Sequence, residues 1–328
     1  MARPSRSFSR KRRFLLLAGV SSLVATACSG RAQTDTASTS RETSETGATQ
    51  RVQHAYGETE IPAHPTRVAV VDFTTVEAVM SLGIEPIAAP GIIIDNLLHL
   101  PPATQEIVDI GIPGQPSLEK LATLKPDLIL TTKMATQDND YELLAQIAPT
   151  VACDIENWTQ WQELAWLCAE ALGKEAEAEQ LAADYEAKLD QLKAALPKDP
   201  GDTEISVIFV NSNQISALAQ DSFSGSVLAA AGFSRPPKQA VEQHTVQVTK
   251  ELLGDVDGDA LFVLKSQSQT ELAADVRAAI AQVKQDPLWN QLEAVQADRV
   301  YEVDAYWYGV GYLAANLILD DLMNYVAA

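Results

Sequence analysis

Three observations predict an α/β fold of two lobes joined by a single long helix. Short apolar runs alternate with helical patterns up to residue 158 and again after residue 196, as in parallel sheets with crossover helices. Between them, Thr159–Leu196 is dominated by Glu, Lys, Gln, Ala and Leu and holds no Pro. Within that stretch Leu181, Tyr185, Leu189, Leu192 and Leu196 recur at helical spacing. The chain divides into a leader (1–27), a tether (28–50), a first lobe (51–158), a linking helical region (159–196) and a second lobe (197–328).

In the linking region Gly173 is the only Gly, so the long helix runs from about Lys174 to Leu196, where Pro197, Pro200 and Gly201 stop it. In the first lobe, an extended hairpin-like stretch around His54–Pro62 precedes the buried strand Val68–Val71. A helix over Thr75–Leu82 stops at Gly83, and strands follow at Pro86–Ala89, Asp127–Leu130 and Pro149–Ala152. Helices over Ser117–Leu124 and Tyr141–Ile147 lie between them. The second lobe repeats the theme, with strands at Ile205–Val210, Asp259–Leu264 and Arg299–Val303. Its helices cover Ser224–Ala231, Leu272–Val283 and Val310–Tyr325. Each lobe is expected to hold a parallel sheet, as in a structural duplication.

The leader carries six cations and no acid, then an apolar run, Phe14–Val24, short for a bilayer span. Small residues and Cys28 follow. This resembles a bacterial lipoprotein signal in which Cys28 becomes the lipid-modified first residue, although Ala25 stands where that pattern prefers Leu. Lys11-Arg12-Arg13-Phe14-Leu15 also resembles a twin-arginine signal, and a plain cleaved signal peptide is the alternative. Residues 29 to about 50 lack bulky apolar side chains and read as a flexible tether.

The formal charge is −20, and −26 once the six leader cations are removed. Such a surface repels phosphate backbones, so nucleic acid is not expected as a partner. Cys153 and Cys168 are the only other cysteines, too few for a disulfide scaffold or a zinc site, though they could pair after export. The four His are scattered without metal-ligand spacing, and no phosphate-binding, dinucleotide-binding or serine-nucleophile motif appears. The chain therefore reads as a binding protein with no cofactor, and an α/β enzyme is the alternative from another class.

Ligands of open α/β sheets bind beyond the carboxyl ends of strands. There the sequence places Tyr306, Trp307 and Tyr308 after the last strand. Phe223 and Arg235 flank the Ser224 helix, Lys133 follows the Asp127 strand, and Trp158 precedes the linking region. Facing each other across an inter-lobe cleft, the cations would hold anionic oxygens and the aromatics would pack on apolar parts of a ligand.

The runs Gly57–Val68, Val76–Gly83, Lys125–Ile129, Phe223–Gly232 and Asp298–Tyr301 together resemble the iron–siderophore-binding proteins of ABC transporters, notably the iron(III)-dicitrate-like group. The resemblance covers residue 52 to the C-terminus. It implies a periplasmic, lipid-anchored monomer that captures a ferric siderophore and delivers it to an inner-membrane permease. Haem or a corrinoid is the alternative cargo, with Met134, His99 or a Tyr as axial ligands for haem. In this family a Glu on each lobe docks onto permease Arg residues. Glu77 matches the first position; Ser226 stands at the second, leaving Asp221 as its substitute. Without such a role, Glu77 reads as an exposed acid in a helix's first turn.

Overall fold

The computed structural model describes residues 48–91, 99–100, 102, 105–211, 214–265 and 271–327. The leader, the lipidation expected at Cys28 and the tether up to residue 47 lie outside the described residues.

The first lobe opens with a hairpin of β1 (Thr49–His54) and β2 (Gly57–Pro62), in register from Thr49 opposite Pro62 to His54 opposite Gly57. Gly57 turns the chain at φ +114°, a conformation that favours glycine. Then come β3 (Val68–Val70), α1 (Phe73–Ser81), β4 (Ala88–Ala89), β5 (Val108–Asp109) and a small ribbon of β6 (Gly111–Ile112) with β7 (Gln115–Pro116). α2 (Leu118–Leu124), β8 (Leu128–Thr132), α3 (Asp138–Ala145) and β9 (Thr150–Cys153) complete the lobe. The sheet order is β5-β4-β3-β8-β9, and every pair in it is parallel. β3, β8 and β9 are buried along their whole length, as their continuous apolar runs require.

The linking region is two helices, α4 (Trp161–Leu172) and α5 (Glu175–Ala195). Gly173 caps α4 in the left-handed region at φ +64°, and the chain re-enters a helix two residues later. The long helix is α5, whose 21 residues span about 30 Å.

The second lobe contains β10 (Ile205–Asn211), β11 (Gln214–Leu218), α6 (Phe223–Ala231), β12 (Thr245–Val248), β13 (Ala260–Leu264), α7 (Glu271–Lys284), α8 (Glu293–Gln296), β14 (Val300–Val303) and α9 (Tyr312–Tyr325). Its sheet order, β12-β11-β10-β13-β14, repeats that of the first lobe. The expectation of a parallel sheet fails in one place: β11 runs antiparallel to both of its neighbours. Only two residues separate β10 from β11, and a connection that short can only reverse the chain.

One face of the second sheet packs on the linking region. Val207, Leu218, Phe262 and Val303 share a core with Trp161 of α4, Tyr185 and Leu192 of α5, Phe223 of α6 and Tyr312 of α9. The other face, with Ile208, Val210 and Val263, is covered by α7 through Val276, Ile280 and Val283.

Candidate functional site

Aromatic rings collect between the lobes, from the carboxyl ends of β3 and β10 and the turn after β14 to His244 at the amino end of β12. Phe73 begins α1 just beyond β3, and its ring centroid lies 6.5 Å from that of Tyr308, in the turn that follows β14. Tyr308 packs on Phe209 of β10 at 6.4 Å and edge-on to His244 at 5.4 Å. His244 lies 4.0 Å from Trp158 of the first lobe, and its Nε2 is 3.0 Å from the Tyr308 hydroxyl. Two first-lobe rings thus frame three second-lobe rings. Tyr308 remains 39% exposed and the other four are half-buried, so the cluster presents aromatic surface to solvent between the lobes. Burial lowers the His244 pKa below its usual 6.5, which favours the neutral ring.

The local frame is rigid. Asp72 is buried; its carboxylate accepts from Thr74 N and Thr75 N at 2.9 Å, capping α1, and from Thr132 N at 2.7 Å. One side chain therefore ties together the ends of β3 and β8 and the start of α1, which sets Phe73. Lys133, just beyond β8, is exposed beside an open hollow with Tyr56, Gln137 and Asn139, and pairs with Asp154 at 3.4 Å. Lys265, just beyond β13, pairs with Asp304 at 3.7 Å.

Of the seven residues expected in the cleft, Tyr308 and Trp158 belong to the cluster, Lys133 lies at the carboxyl end of β8, and the other four are turned elsewhere. Trp307 is fully buried: it stacks on Phe262 at 4.4 Å and donates from Nε1 to Asp321 at 2.8 Å. In the turn after β14 successive side chains point in different directions, and Trp307 takes the core side. Phe223 is 2% exposed and packs edge-on to Trp161. Arg235 is buried at the amino end of the second sheet, donating from Nε to the Ile205 carbonyl at 2.7 Å and from Nη2 to the Leu218 carbonyl at 2.6 Å. Burial pulls its pKa down to about 9, so it remains a cation at neutral pH, spent on backbone carbonyls. Tyr306 is half-buried, with its hydroxyl donating to Asp321 at 2.7 Å and its pKa pushed well above 10 by burial and that carboxylate.

Glu77 is corrected most sharply, because both expectations placed it on the surface. It is 1% exposed. Its carboxylate accepts from Val310 N at 3.1 Å and Ala314 N at 2.9 Å, at the start of α9, and lies 3.2 Å from His99 Nε2. A first-lobe acid thus caps a second-lobe helix, where the helix dipole favours negative charge. Gly309 and Gly311 allow the approach: a Cβ on Gly311 would sit 2.7 Å from Glu77 Oε1. His99, bonded here, is not a free axial ligand. Ser226, at the matching place in α6, accepts from Trp161 Nε1 of the linking region at 3.1 Å. Asp221 is half-buried in the loop before α6. Cys153 and Cys168 are free, buried thiols; burial pushes Cys153 up to about 12.

Sequence reasoning missed Phe73, Phe209 and His244, each of which lies inside an apolar or irregular stretch and becomes a site residue only by tertiary placement. It also missed a matched pair of acids whose signal was legible. Ser117-Leu118-Glu119 stands eight residues ahead of Asp127, and Thr249-Lys250-Glu251 stands eight ahead of Asp259. In the structure Leu121 and Leu253 are buried equivalents, Asp127 accepts from Arg67 N at 2.9 Å, and Asp259 accepts from Glu204 N at 2.9 Å. Glu119 and Glu251 are both exposed.

Two sheets of one strand order, joined by a helical link and meeting at an aromatic cluster between the lobes, define a two-lobed ligand-binding protein. The family model described as periplasmic binding protein matches residues 68–307, and the chain belongs to that family. The probable siderophore-binding lipoprotein YfiY of Bacillus subtilis is 32% identical over 286 residues, 84% of this chain and 86% of the relative. The Fe(3+)-citrate-binding protein YfmC of the same organism is 29% identical over 254 residues, 76% of each chain. Among solved structures, SirA of Staphylococcus aureus complexed with staphyloferrin B aligns with a TM-score of 0.71 at 26% identity, covering 84% of this chain and 97% of that one.

Proposed function

We propose that this chain is the substrate-binding component of an ABC importer, capturing a ferric siderophore between its lobes and delivering it unchanged to an inner-membrane permease. The observation that carries the reading is the five-ring cluster built by both lobes. Siderophore-binding relatives of matching length support it. The siderophore supplies the iron ligands. The chain supplies aromatic packing and a site that neither lobe completes alone, so no catalytic group is required. Titration with ferric siderophores, read by quenching of Trp158, tests this: Trp158→Phe should lose most of the quench. Failure to bind any ferric chelate, or chemical turnover of one, overturns it.

Delivery needs a surface that reads both lobes at once. Glu119 and Glu251 are exposed, duplicated, and lie at corresponding places on the two lobes, where a pair of permease cations could engage them. Glu119→Ala with Glu251→Ala should leave siderophore affinity unchanged and lower uptake; unimpaired uptake rules the pair out. Working in the periplasm, the chain acts as a monomer held by a lipid on Cys28. Cys28→Ala should release it to the soluble fraction, and a variant that stays on the membrane disproves the anchor.

A further inference from the structure

The charges around the aromatic cluster narrow the class of siderophore, an inference that rests on the siderophore reading above. The folded body from residue 48 onward holds five Arg: Arg51, Arg67, Arg235, Arg277 and Arg299. None lies at a carboxyl edge. Arg51 pairs with Glu58 on the β1–β2 hairpin, and Arg67 bonds the Leu124 and Lys125 carbonyls where α2 ends. Arg235 is buried at the amino end of the second sheet, the end that also carries His244, with Nε and Nη2 held by the Ile205 and Leu218 carbonyls, and Arg299 immediately precedes β14 at its amino end. Arg277 lies on the exposed side of α7, the helix that covers the sheet face opposite Phe262 and Trp307.

The Lys residues at the carboxyl edges are matched by acids. Lys133 pairs with Asp154 and Lys265 with Asp304. Lys120 donates to the Asp109 carbonyl at 2.7 Å, beside that residue's carboxylate. Lys250 lines a separate hollow with Gln282 and Val283 and has Glu251 beside it. His244 is held toward its neutral form. Residues 92–98, 212–213 and 266–270 contain no Lys or Arg, so no further cation enters from those stretches.

We propose that the cleft takes ferric chelates that are neutral or cationic overall and present apolar surface, of the trihydroxamate type, and rejects polyanionic ones. Three hydroxamates lose three protons to ferric iron, leaving a neutral core, and a pendant amine makes it cationic. A tricatecholate core is trianionic and a polycarboxylate chelate is anionic too. A desolvated anion needs unpaired cations or forked Arg donors, which, among the described residues, these edges lack. Aromatic faces instead receive apolar chelate surface and attract a cation. The strongly negative surface of the chain acts in the same direction at longer range.

Titrating the full chain with ferrioxamine B (cationic trihydroxamate), ferrichrome (neutral trihydroxamate), ferric citrate and ferric enterobactin (trianionic tricatecholate) tests the proposal. The trihydroxamates should bind at least about a hundredfold more tightly than the tricatecholate, on the order of 2.8 kcal/mol at about 1.4 kcal/mol per decade. Added salt should barely weaken ferrichrome, whose charge gives screening nothing to act on. The double variant Asp154→Asn with Asp304→Asn, its folding checked by thermal melting, frees both lysines and should bring the tricatecholate at least about tenfold closer. Wild-type preference for the tricatecholate or citrate chelate overturns this inference and leaves the siderophore reading intact. Unchanged selectivity in the folded double variant also overturns it. Binding of none of the four overturns both.

Discussion

In the first lobe a helix separates the first two strands of the sheet; in the second lobe two residues do. The strand orders are nevertheless the same, with the first strand of each five-stranded sheet at the centre and its last two strands on one side. The short connection reverses β11 and leaves the other four strands parallel in direction. The following helix then shifts from after the first strand (α1) to after the second (α6). Both helices keep one task. At position Glu77 in α1 and Ser226 in α6, a polar side chain reaches out of its own lobe, to α9 in one case and to α4 in the other. A duplicated fold can thus change the direction of a strand and preserve the place where the halves are fastened, because that fastening depends on helix position more than on sheet pairing.

Several substitutions would break or sharpen this comparison. The largest effect is expected in the second lobe, whose core depends on a residue delivered after its last strand. Trp307→Ala removes a buried ring stacked on Phe262 and should cost about 3–5 kcal/mol in chemical denaturation. A loss below about 1 kcal/mol would return Trp307 to the cleft.

Next is the stronger of the two fastenings. Glu77→Ala leaves Val310 N and Ala314 N buried without their acceptor and should cost about 1–3 kcal/mol, with faster hydrogen exchange at those amides. Glu77→Gln keeps one acceptor oxygen and should cost less. Unchanged exchange in Glu77→Ala would show that the carboxylate does not hold the lobes. Ser226→Ala loses a single neutral hydrogen bond and should cost about 0.5–1.5 kcal/mol. A cost equal to that of Glu77→Ala would mean that the two halves are fastened equally.

The smallest effect is a pH dependence with one source in each lobe. Burial lowers the pKa of His54 in the first lobe and of His244 in the second below 6.5. Below 6.5 the unfolded chain takes up these protons before the folded chain does. The stability contribution is therefore complete above pH 6.5 and is lost as pH falls toward the folded-state pKa values. His54→Gln and His244→Gln should each flatten the melting-temperature profile below pH 6.5. Profiles that remain as steep as wild type in both would remove histidine burial as the cause.

The elements themselves were legible because their signals are local. Val68–Val71 and Asp259–Leu264 are continuous apolar runs, Gly173 and Gly232 stop helices, and the four-residue rhythm from Leu181 to Leu196 needs no partner to be read. The lobes, the long helix α5 and the carboxyl-edge rule that led to Tyr308, Trp158 and Lys133 all follow from such patterns. Tertiary structure decided which way each remaining side chain faces. Trp307 and Tyr308 are neighbours in one turn, yet one is sealed against Phe262 and the other stands between the lobes. Glu77 looks like any first-turn acid until α9, more than 230 residues later, brings two amide donors to its carboxylate. Arg235 looks like a ligand-binding cation until two strand-end carbonyls claim it. Local sequence carries backbone preference and periodicity, whereas burial and partnership depend on segments far apart in the chain, and those determine the binding surface.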